Sequence, residues 1–162
     1  MISNMNKLIQ KSVVIFITLI LISCSSEKEL TKEQILHQSI AEIESRFEER
    51  SLSKIVEYVS ESYKDETDRN LKDIKRAIQI QLMRHKSLYV FSVVKNIEWT
   101  GDKLATVEIA AAMGGKPIES ASILTSVRAD MVKFTVDFAL EDEVYKVQSA
   151  IWRRADPSDF IL

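Results

Sequence analysis

The sequence has very few residues of the kinds that form disulfides or bind transition metals. Among its 162 residues there is one cysteine, Cys24, and there are two histidines, His37 and His85. A single cysteine excludes an intramolecular disulfide framework. Two histidines this far apart cannot assemble a zinc ligand cluster, and the scattered carboxylates do not follow the spacing of a calcium loop. We therefore expect no metal and no cofactor.

The sequence also lacks the common signatures of phosphate binding. Only three glycines occur, and Gly114-Gly115 precedes a proline rather than the start of a phosphate-binding helix. The net charge is -2 and there is no stripe of basic residues, so nucleic acid is not an expected partner. Four arginines are candidates for binding an anion or a lipid headgroup, but isolated arginines near strand ends are usually solvated. They are Arg84, Arg128, Arg153 and Arg154.

The longest apolar run lies near the N-terminus. Lys7 and Lys11 precede VVIFITLILI, the ten apolar residues 13–22. A helix of this length rises only about 15 Å, half the hydrocarbon core of a bilayer. The pattern therefore predicts a cleaved export signal over residues 1–23 and not a permanent membrane span.

The end of this run resembles a known processing motif. Leu21-Ile22-Ser23-Cys24 is similar to the lipobox of bacterial lipoproteins. The resemblance implies cleavage before Cys24 and attachment of two or three acyl chains to it, which would anchor the protein stably in a membrane. Ser25 follows where an aspartate would favour the inner membrane, so we expect the outer membrane, facing the periplasm, in a cell that has two. The alternative is an ordinary secretory signal with a chance cysteine.

A folded domain begins soon after this cysteine. Thr31-Lys32-Glu33-Gln34 has the pattern of a capping box, with Thr31 as the N-cap. Residues 24–30 then form a short lipid tether that reaches at most about 25 Å. We assign residues 31–156 to one domain and residues 157–162 to a C-terminal tail whose apolar end can fold back onto it.

Three helices are predicted in the first half of the domain. The first, residues 32–50, has an apolar stripe with Glu44 and other charged residues mostly on the solvated side: Leu36, Ile40, Ile43 and Phe47. A shorter second helix aligns Leu52, Val56, Val59 and Tyr63. The third, residues 71–87, aligns Leu71, Ile74, Ile78, Leu82 and His85, with Ile80 and Met83 opposite them. The opposite pair indicates a second contact surface, on the sheet or on another subunit.

Four long antiparallel strands are predicted in the second half, because the apolar period there changes to two. They cover residues 88–99, 104–113, 128–140 and 144–154, and the last two are joined by an acidic turn. Asp137 alternates with the apolar face of its strand. In the last strand, Tyr145, Val147, Ser149 and Ile151 are expected on one face and Lys146, Gln148, Ala150 and Trp152 on the other.

This order predicts an α+β fold in which N-terminal helices pack on a strongly curved antiparallel sheet. The layout resembles the nuclear transport factor 2-like superfamily of cone-shaped domains over residues 33–155. The similar parts are the helix pair in residues 44–63, the helix and strand in residues 73–99, and the closing EVYKVQSAIWRRA, which resembles the family's final strand.

The resemblance implies a pocket between the helices and the concave sheet, as in the ketosteroid isomerases and polyketide cyclases of the same superfamily. Tyr58 and Tyr63 are candidates to line it, although the commoner role of such tyrosines is a ring in the core with a hydroxyl at the edge. His85 is a candidate general base or a buried helix-end residue. Asp137 is a candidate carboxylate. The ketosteroid isomerase tyrosine is missing, because the first helix contains no tyrosine.

Three hypotheses for function follow. The first is a non-enzymatic lipoprotein of the cell envelope that binds a small apolar ligand or a protein partner. The second is a cofactor-free isomerase, dehydratase or cyclase that uses His85, Tyr63 or Asp137 as acid-base groups. The third is a dimeric structural or assembly factor.

Replacing the proposed lipidation site gives the first testable prediction. The Cys24→Ala variant should move from the detergent phase to the soluble fraction, because it has no acyl chains to hold it in a membrane. Phase partitioning and incorporation of labelled fatty acid measure this. A wild-type protein that never incorporates the label would contradict the lipoprotein assignment.

Overall fold

The computed structural model describes residues 29–161 of the chain. The predicted signal over residues 1–23, Cys24 and most of the predicted tether lie outside the described residues. The elements in chain order are α1 (Lys32–Glu48), α2 (Leu52–Val56), α3 (Leu71–Arg84), β1 (Tyr89–Trp99), β2 (Leu104–Gly114), β3 (Ala129–Glu141) and β4 (Val144–Arg154). Within the described part of the chain, no helix is both long and apolar enough to cross a bilayer.

The four strands form one antiparallel sheet in the order β1-β2-β3-β4, so each strand pairs with its neighbour in sequence. The helices pack against one face of this sheet, which confirms the predicted α+β class. The β3–β4 hairpin turns on Asp142 and Glu143, whose φ angles are 50° and 67°. Two positive φ angles are typical of the type I′ turns that match the twist of a hairpin.

Two β-bulges bend the sheet. The register shifts between Val94 and Asn96 in β1, and in β4 it shifts at Gln148, because Val147 pairs with Phe138 while Ser149 pairs with Asp137. A bulge inserts one unpaired residue, which bends the strand and increases its twist. The two shifts lie on the two outer strands of the sheet.

The bulge in β4 corrects the predicted alternation of that strand. Tyr145 and Val147 face the helices as expected, but after Gln148 the pattern inverts. Ala150 and Trp152 pair with the inward-facing Val136 and Phe134 and so face the helices themselves, whereas Ser149 and Ile151 face away. The prediction for the second half of β4 was therefore wrong, because one unpaired residue exchanges the two faces of a strand.

Helix α1 begins at the predicted capping box. The Gln34 amide donates to the Thr31 hydroxyl at 3.2 Å, and the Thr31 amide donates to the Gln34 side chain at 2.9 Å. Its inner residues Leu36 and Ile40 are buried against the sheet in the main core. That core also contains Val107, Ile109, Val136, Phe138 and Tyr145.

The second helix is shorter than predicted, because it ends at Val56. The chain then runs along the free edge of β4. The amide of Val147 donates to the Tyr58 carbonyl at 2.8 Å, and the amides of Ser60 and Lys64 donate to the Val147 and Gln148 carbonyls at 2.9 and 3.0 Å. This segment satisfies edge groups of the sheet that would otherwise be open to pairing with another chain.

A second core lies on the convex face of the sheet. It is formed by Ala110 and Ala112 of β2, by the connection between β2 and β3, and by the C-terminal tail. Phe160 is 3% exposed, and its ring stacks on Phe91 with the centroids 6.1 Å apart. The tail therefore folds back onto the domain, as its apolar end indicated.

The hydrophobic clusters of the described chain draw all of their side chains from residues 35–160. Because a domain with its own core folds independently, we expect a chain of residues 25–162 to fold without the N-terminal segment.

The contribution of the tail can be measured directly. Phe160→Ala should lower the free energy of unfolding of the 25–162 chain by about 3 kcal/mol, because it removes a buried aromatic ring. Ile161→Ala is the matched control, since Ile161 is 67% exposed and should change stability by no more than about 0.5 kcal/mol. Urea denaturation measures both. Equal small effects would contradict a packed tail.

Candidate functional site

A cavity of about 930 Å³ lies between the helices and the concave face of the sheet. This volume is near the upper end of the range of about 300–1,000 Å³ that is typical of small-molecule sites. Helices and strands contribute mostly apolar side chains to its wall. They include Ile40, Ile43, Phe47, Ile74, Ile78, Ile109, Ala111, Val132, Phe134 and Val136.

Glu44 places a carboxyl group in this wall. Its side chain accepts a hydrogen bond from the Ser92 hydroxyl on β1, and both residues line the cavity. Burial raises the pKa of the Glu44 carboxyl, while the bond from Ser92 lowers it and the nearby Glu48 raises it further. A carboxyl group with a raised pKa in an apolar cavity can donate a hydrogen bond or transfer a proton.

Sequence reasoning missed this residue, since it placed Glu44 mostly on the solvated side of α1. That prediction was wrong. Glu44 lies four residues after Ile40 and three before Phe47, and residues at these spacings share one face of a helix. This spacing was the signal that could have identified Glu44. It was overlooked because charged residues on a helix are usually solvated.

A buried ionic cluster centred on Asp65 adjoins the cavity through Tyr63, which lines the cavity. The Asp65 side chain is 1% exposed and accepts bonds from the Tyr63 hydroxyl at 3.1 Å and from Arg69 Nε at 2.7 Å. The amide and hydroxyl of Thr67 donate to its other oxygen at 2.9 and 2.8 Å. Burial by itself raises the pKa of Asp65, but the bonds from Thr67 and Arg69 lower it to about 2.

The cluster also holds Tyr63, one of the residues predicted for the site. Tyr63 lines the cavity and is 2% exposed. Burial and the bond to Asp65 raise the pKa of its hydroxyl to about 12. Its proton is thus committed to Asp65, which makes Tyr63 a poor proton donor to a ligand. The residue is not helical, because α2 has already ended.

Arg69 connects this cluster to the cavity wall. Its guanidinium lies 3.9 Å from the centroid of the Trp152 ring, in the geometry of a cation–π contact. Trp152 in turn lies 6.5 Å from Phe134, measured between ring centroids. Both aromatic residues line the cavity. Asp65 therefore helps to position an aromatic wall through Arg69.

The remaining predicted residues lie in three different places. Tyr58 lines the cavity, and burial raises the pKa of its hydroxyl. His85 is not among the lining residues. Its Nε2 is buried and has no hydrogen-bond partner in the described part of the chain, although it lies 3.3 Å from the carboxylate of Asp130. Asp137 lies on the exposed, convex face, where it accepts bonds from Thr106 and Ser149 at 2.7 and 2.8 Å. The structure thus brings Tyr58 and Tyr63 to the cavity but places Asp137 outside it.

Charged residues also occur in the lining. Arg84 at the end of α3, Asp130 at the start of β3, and Arg153 and Arg154 at the end of β4 all contribute to it. Within residues 29–161, no group of three or more histidine, cysteine, aspartate or glutamate side chains is arranged to hold a metal ion. The polar groups of the cavity therefore include the Glu44–Ser92 pair, the tyrosine hydroxyls, the Gln81 amide and the charged side chains at the ends of α3, β3 and β4.

No protein-family model and no curated protein matches the chain, but many solved structures do. One is a protein of Novosphingobium aromaticivorans provisionally assigned as a scytalone dehydratase, with 7% identity over 74% of this chain and 81% of that chain and a TM-score of 0.59. Another is a nuclear transport factor 2-like protein of unknown function from Shewanella oneidensis, with 12% identity over 72% and 93% and a TM-score of 0.52.

The chain has a nuclear transport factor 2-like fold. The similarity to these structures confirms the fold that the order of helices and strands predicted. A third similar structure is Bd1075 of Bdellovibrio bacteriovorus, with 13% identity, 74% of this chain covered and a TM-score of 0.57. The match spans only 39% of that larger protein. At these identities the similarity shows the shared nuclear transport factor 2-like architecture alone.

The raised pKa of Glu44 predicts a specific pH dependence of stability. The folded protein holds this proton more tightly than the unfolded chain, whose ordinary value is 4.5. The resulting stability is fully present below pH 4.5 and is lost as the pH rises through the raised pKa. Relative to Glu44→Gln, the wild-type protein should therefore become less stable over this interval.

Urea denaturation of the 25–162 chain at a series of pH values from about 4 to about 8, which begins below the ordinary value of 4.5, measures the effect. Glu57→Gln is the control, because Glu57 is an exposed glutamate in the turn after α2. Parallel pH profiles for the wild-type protein and Glu44→Gln would show that Glu44 is not buried in the cavity.

Proposed function

We propose that the protein is a lipid-anchored binding protein of the cell envelope and that its cavity holds a small, mainly apolar molecule. The observation that carries the proposal is the cavity of about 930 Å³ with its largely apolar wall. An open apolar cavity of this size leaves hydrophobic surface in contact with water, which is less favourable than burying it. Its retention in the fold is most simply explained by occupancy with a ligand.

The distribution of polar groups supports binding. Most of the wall offers only apolar contacts, while the Glu44–Ser92 pair supplies a localised hydrogen-bonding site within it. Small-molecule sites commonly combine a hydrophobic lining with a few polar groups that fix the orientation of the ligand. Glu44 in its protonated form would donate a hydrogen bond to a ligand oxygen, and Ser92 would orient the carboxyl group.

An acid-base enzyme is the second candidate, and the raised pKa of Glu44 is the observation that favours it. In that case Glu44 would transfer a proton to or from an apolar substrate, as a general acid or base in an isomerase, dehydratase or cyclase. Such a reaction needs a second group to stabilise the charge that develops.

The groups first considered for that second role are poorly placed. The Tyr63 hydroxyl donates to Asp65, the Asp137 carboxylate lies on the convex face, and His85 is directed towards Asp130. Of these candidates only Tyr58, which lines the cavity, could still donate its hydroxyl to the developing charge. We therefore favour binding over catalysis.

A dimeric assembly factor has weaker support. The exposed apolar residues of α3 that suggested it are Ile80 and Met83, which are 43% and 68% exposed. Ile80 lines the cavity, so part of this surface belongs to the cavity opening. On the convex face, Asp137 with its Thr106 and Ser149 partners makes the middle of β2–β4 polar.

Blocking the cavity tests the binding proposal. The neutral apolar dye N-phenyl-1-naphthylamine should bind the 25–162 chain saturably, with increased emission as it leaves water. Ala111→Phe places a ring in the cavity wall and should abolish this binding. Thr135→Phe adds the same ring to the exposed face of β3 and should leave binding unchanged.

Fluorescence titration measures the dye affinity of all three proteins, and far-UV circular dichroism checks that each is folded. No saturable binding to the wild-type protein would overturn the proposal. Equal binding to wild type and a folded Ala111→Phe variant would place the dye elsewhere and would also overturn it.

A further inference from the structure

One row of the sheet crosses the concave face from a hydroxyl group to a guanidinium group. Ser92 of β1 pairs with Ala111 of β2, Ala111 pairs with Val132 of β3, and Val132 pairs with Arg154 of β4. All four residues line the cavity. Adjacent strands are about 4.8 Å apart, so the two ends of the row are separated by about 14 Å along the sheet. The middle of the row is apolar.

Arg154 reaches this face only because of the β4 bulge. Without the extra residue at Gln148, strand alternation would direct it to the convex side together with Lys133. Arg153, its neighbour, pairs with Lys133 and alternates to that convex side instead. Arg154 is therefore the arginine of this pair that the strand presents to the cavity.

A second arginine lines the same cavity from the helical side. Arg84 lies in the last turn of α3 and contributes to the lining. Within the described residues neither Arg84 nor Arg154 forms an ion pair with a carboxylate, whereas Arg46 and Arg69 do. Two arginines without carboxylate partners are thus available to a ligand at the cavity.

Asp130 also lines the cavity, but it does not neutralise Arg84 or Arg154. The Asp130 carboxylate lies 3.3 Å from His85 Nε2 and is outside ion-pair distance of both arginines. The other carboxyl group of the lining, Glu44, lies at the opposite end of the row, where it accepts a hydrogen bond from Ser92. Neither carboxyl group of the lining therefore neutralises Arg84 or Arg154.

We propose that the cavity binds an amphipathic anion, with an apolar body lying across the sheet and one carboxylate or phosphate group held by Arg84 and Arg154. Guanidinium groups bind both oxyanions through paired, charge-assisted hydrogen bonds. The Glu44–Ser92 pair lies at the opposite end of the row and contacts the far end of the ligand. This inference rests on the proposed binding function and specifies the class of ligand.

Dye displacement on the 25–162 chain tests the inference with three matched probes: dodecanoate and dodecyl phosphate, each below its micellar concentration, and the neutral dodecanol below its solubility limit. The anions should displace N-phenyl-1-naphthylamine at lower concentration than dodecanol does. Arg84→Gln and Arg154→Gln should each weaken the anions about tenfold and leave dodecanol unchanged, because each removes one charge-assisted contact.

Two further variants make the result specific. Arg76→Gln is the control, because Arg76 is an exposed arginine of α3 that does not line the cavity. Arg154→Lys should bind the anions more tightly than Arg154→Gln does but less tightly than the wild-type protein does, since lysine keeps the positive charge and lacks the planar guanidinium group. Preference for only one of the two anions would identify the headgroup and would support the inference.

The outcomes separate this inference from the proposed function. If the dye binds but dodecanol competes as well as the anions, or if the arginine variants behave like Arg76→Gln, the anion site is wrong and the apolar binding site stands. If the dye does not bind at all, both proposals fail.

Discussion

The single unpaired residue at Gln148 is the constraint on which the cavity depends. It inverts the alternation of β4, so that Ala150, Trp152 and Arg154 face the helices. The same bulge offers the Gln148 carbonyl to the amide of Lys64, which fixes the segment that follows α2 along the edge of the sheet. The position of this segment then determines where Asp65 and Arg69 lie. One local irregularity therefore sets both the face of the strand and the element that covers its edge.

The polar groups of the cavity divide into those that support the structure and those that remain available. Asp65 receives bonds from Tyr63, Thr67 and Arg69, which compensate for its burial and hold Arg69 on Trp152. Among residues 29–161, Ser92 alone donates a hydrogen bond to the Glu44 side chain, so burial dominates and raises the pKa of Glu44. A fully bonded carboxylate stabilises a fold, whereas a partly bonded carboxyl in an apolar wall reduces stability and is typically kept for function.

Much of the fold could be predicted because it depends on local patterns. The capping box at Thr31 marked the start of α1, the period of two marked all four strands, and the Asp142–Glu143 turn joined the last hairpin as expected. The bulge at Gln148 could not be predicted, because it depends on which partner residue is skipped across the sheet and leaves no mark in the alternating sequence. Arg154 is exposed, as expected for an arginine at a strand end, but its place in the cavity lining follows from the bulge and could not be predicted. Glu44 was missed because a charge on a helix is usually solvated, although its spacing from Ile40 placed it on the inner face.

The proposed function requires the cavity to be a binding site that is occupied in the cell. Native mass spectrometry of the 25–162 chain, purified gently from the cells that produce it, tests this most directly, because it reports bound mass and subunit number together. We predict a monomer that carries a reproducible additional mass of a single amphipathic anion. A bare chain that remains bare after incubation with dodecanoate and with dodecanol would contradict the account, and a bare dimer would favour an assembly role instead.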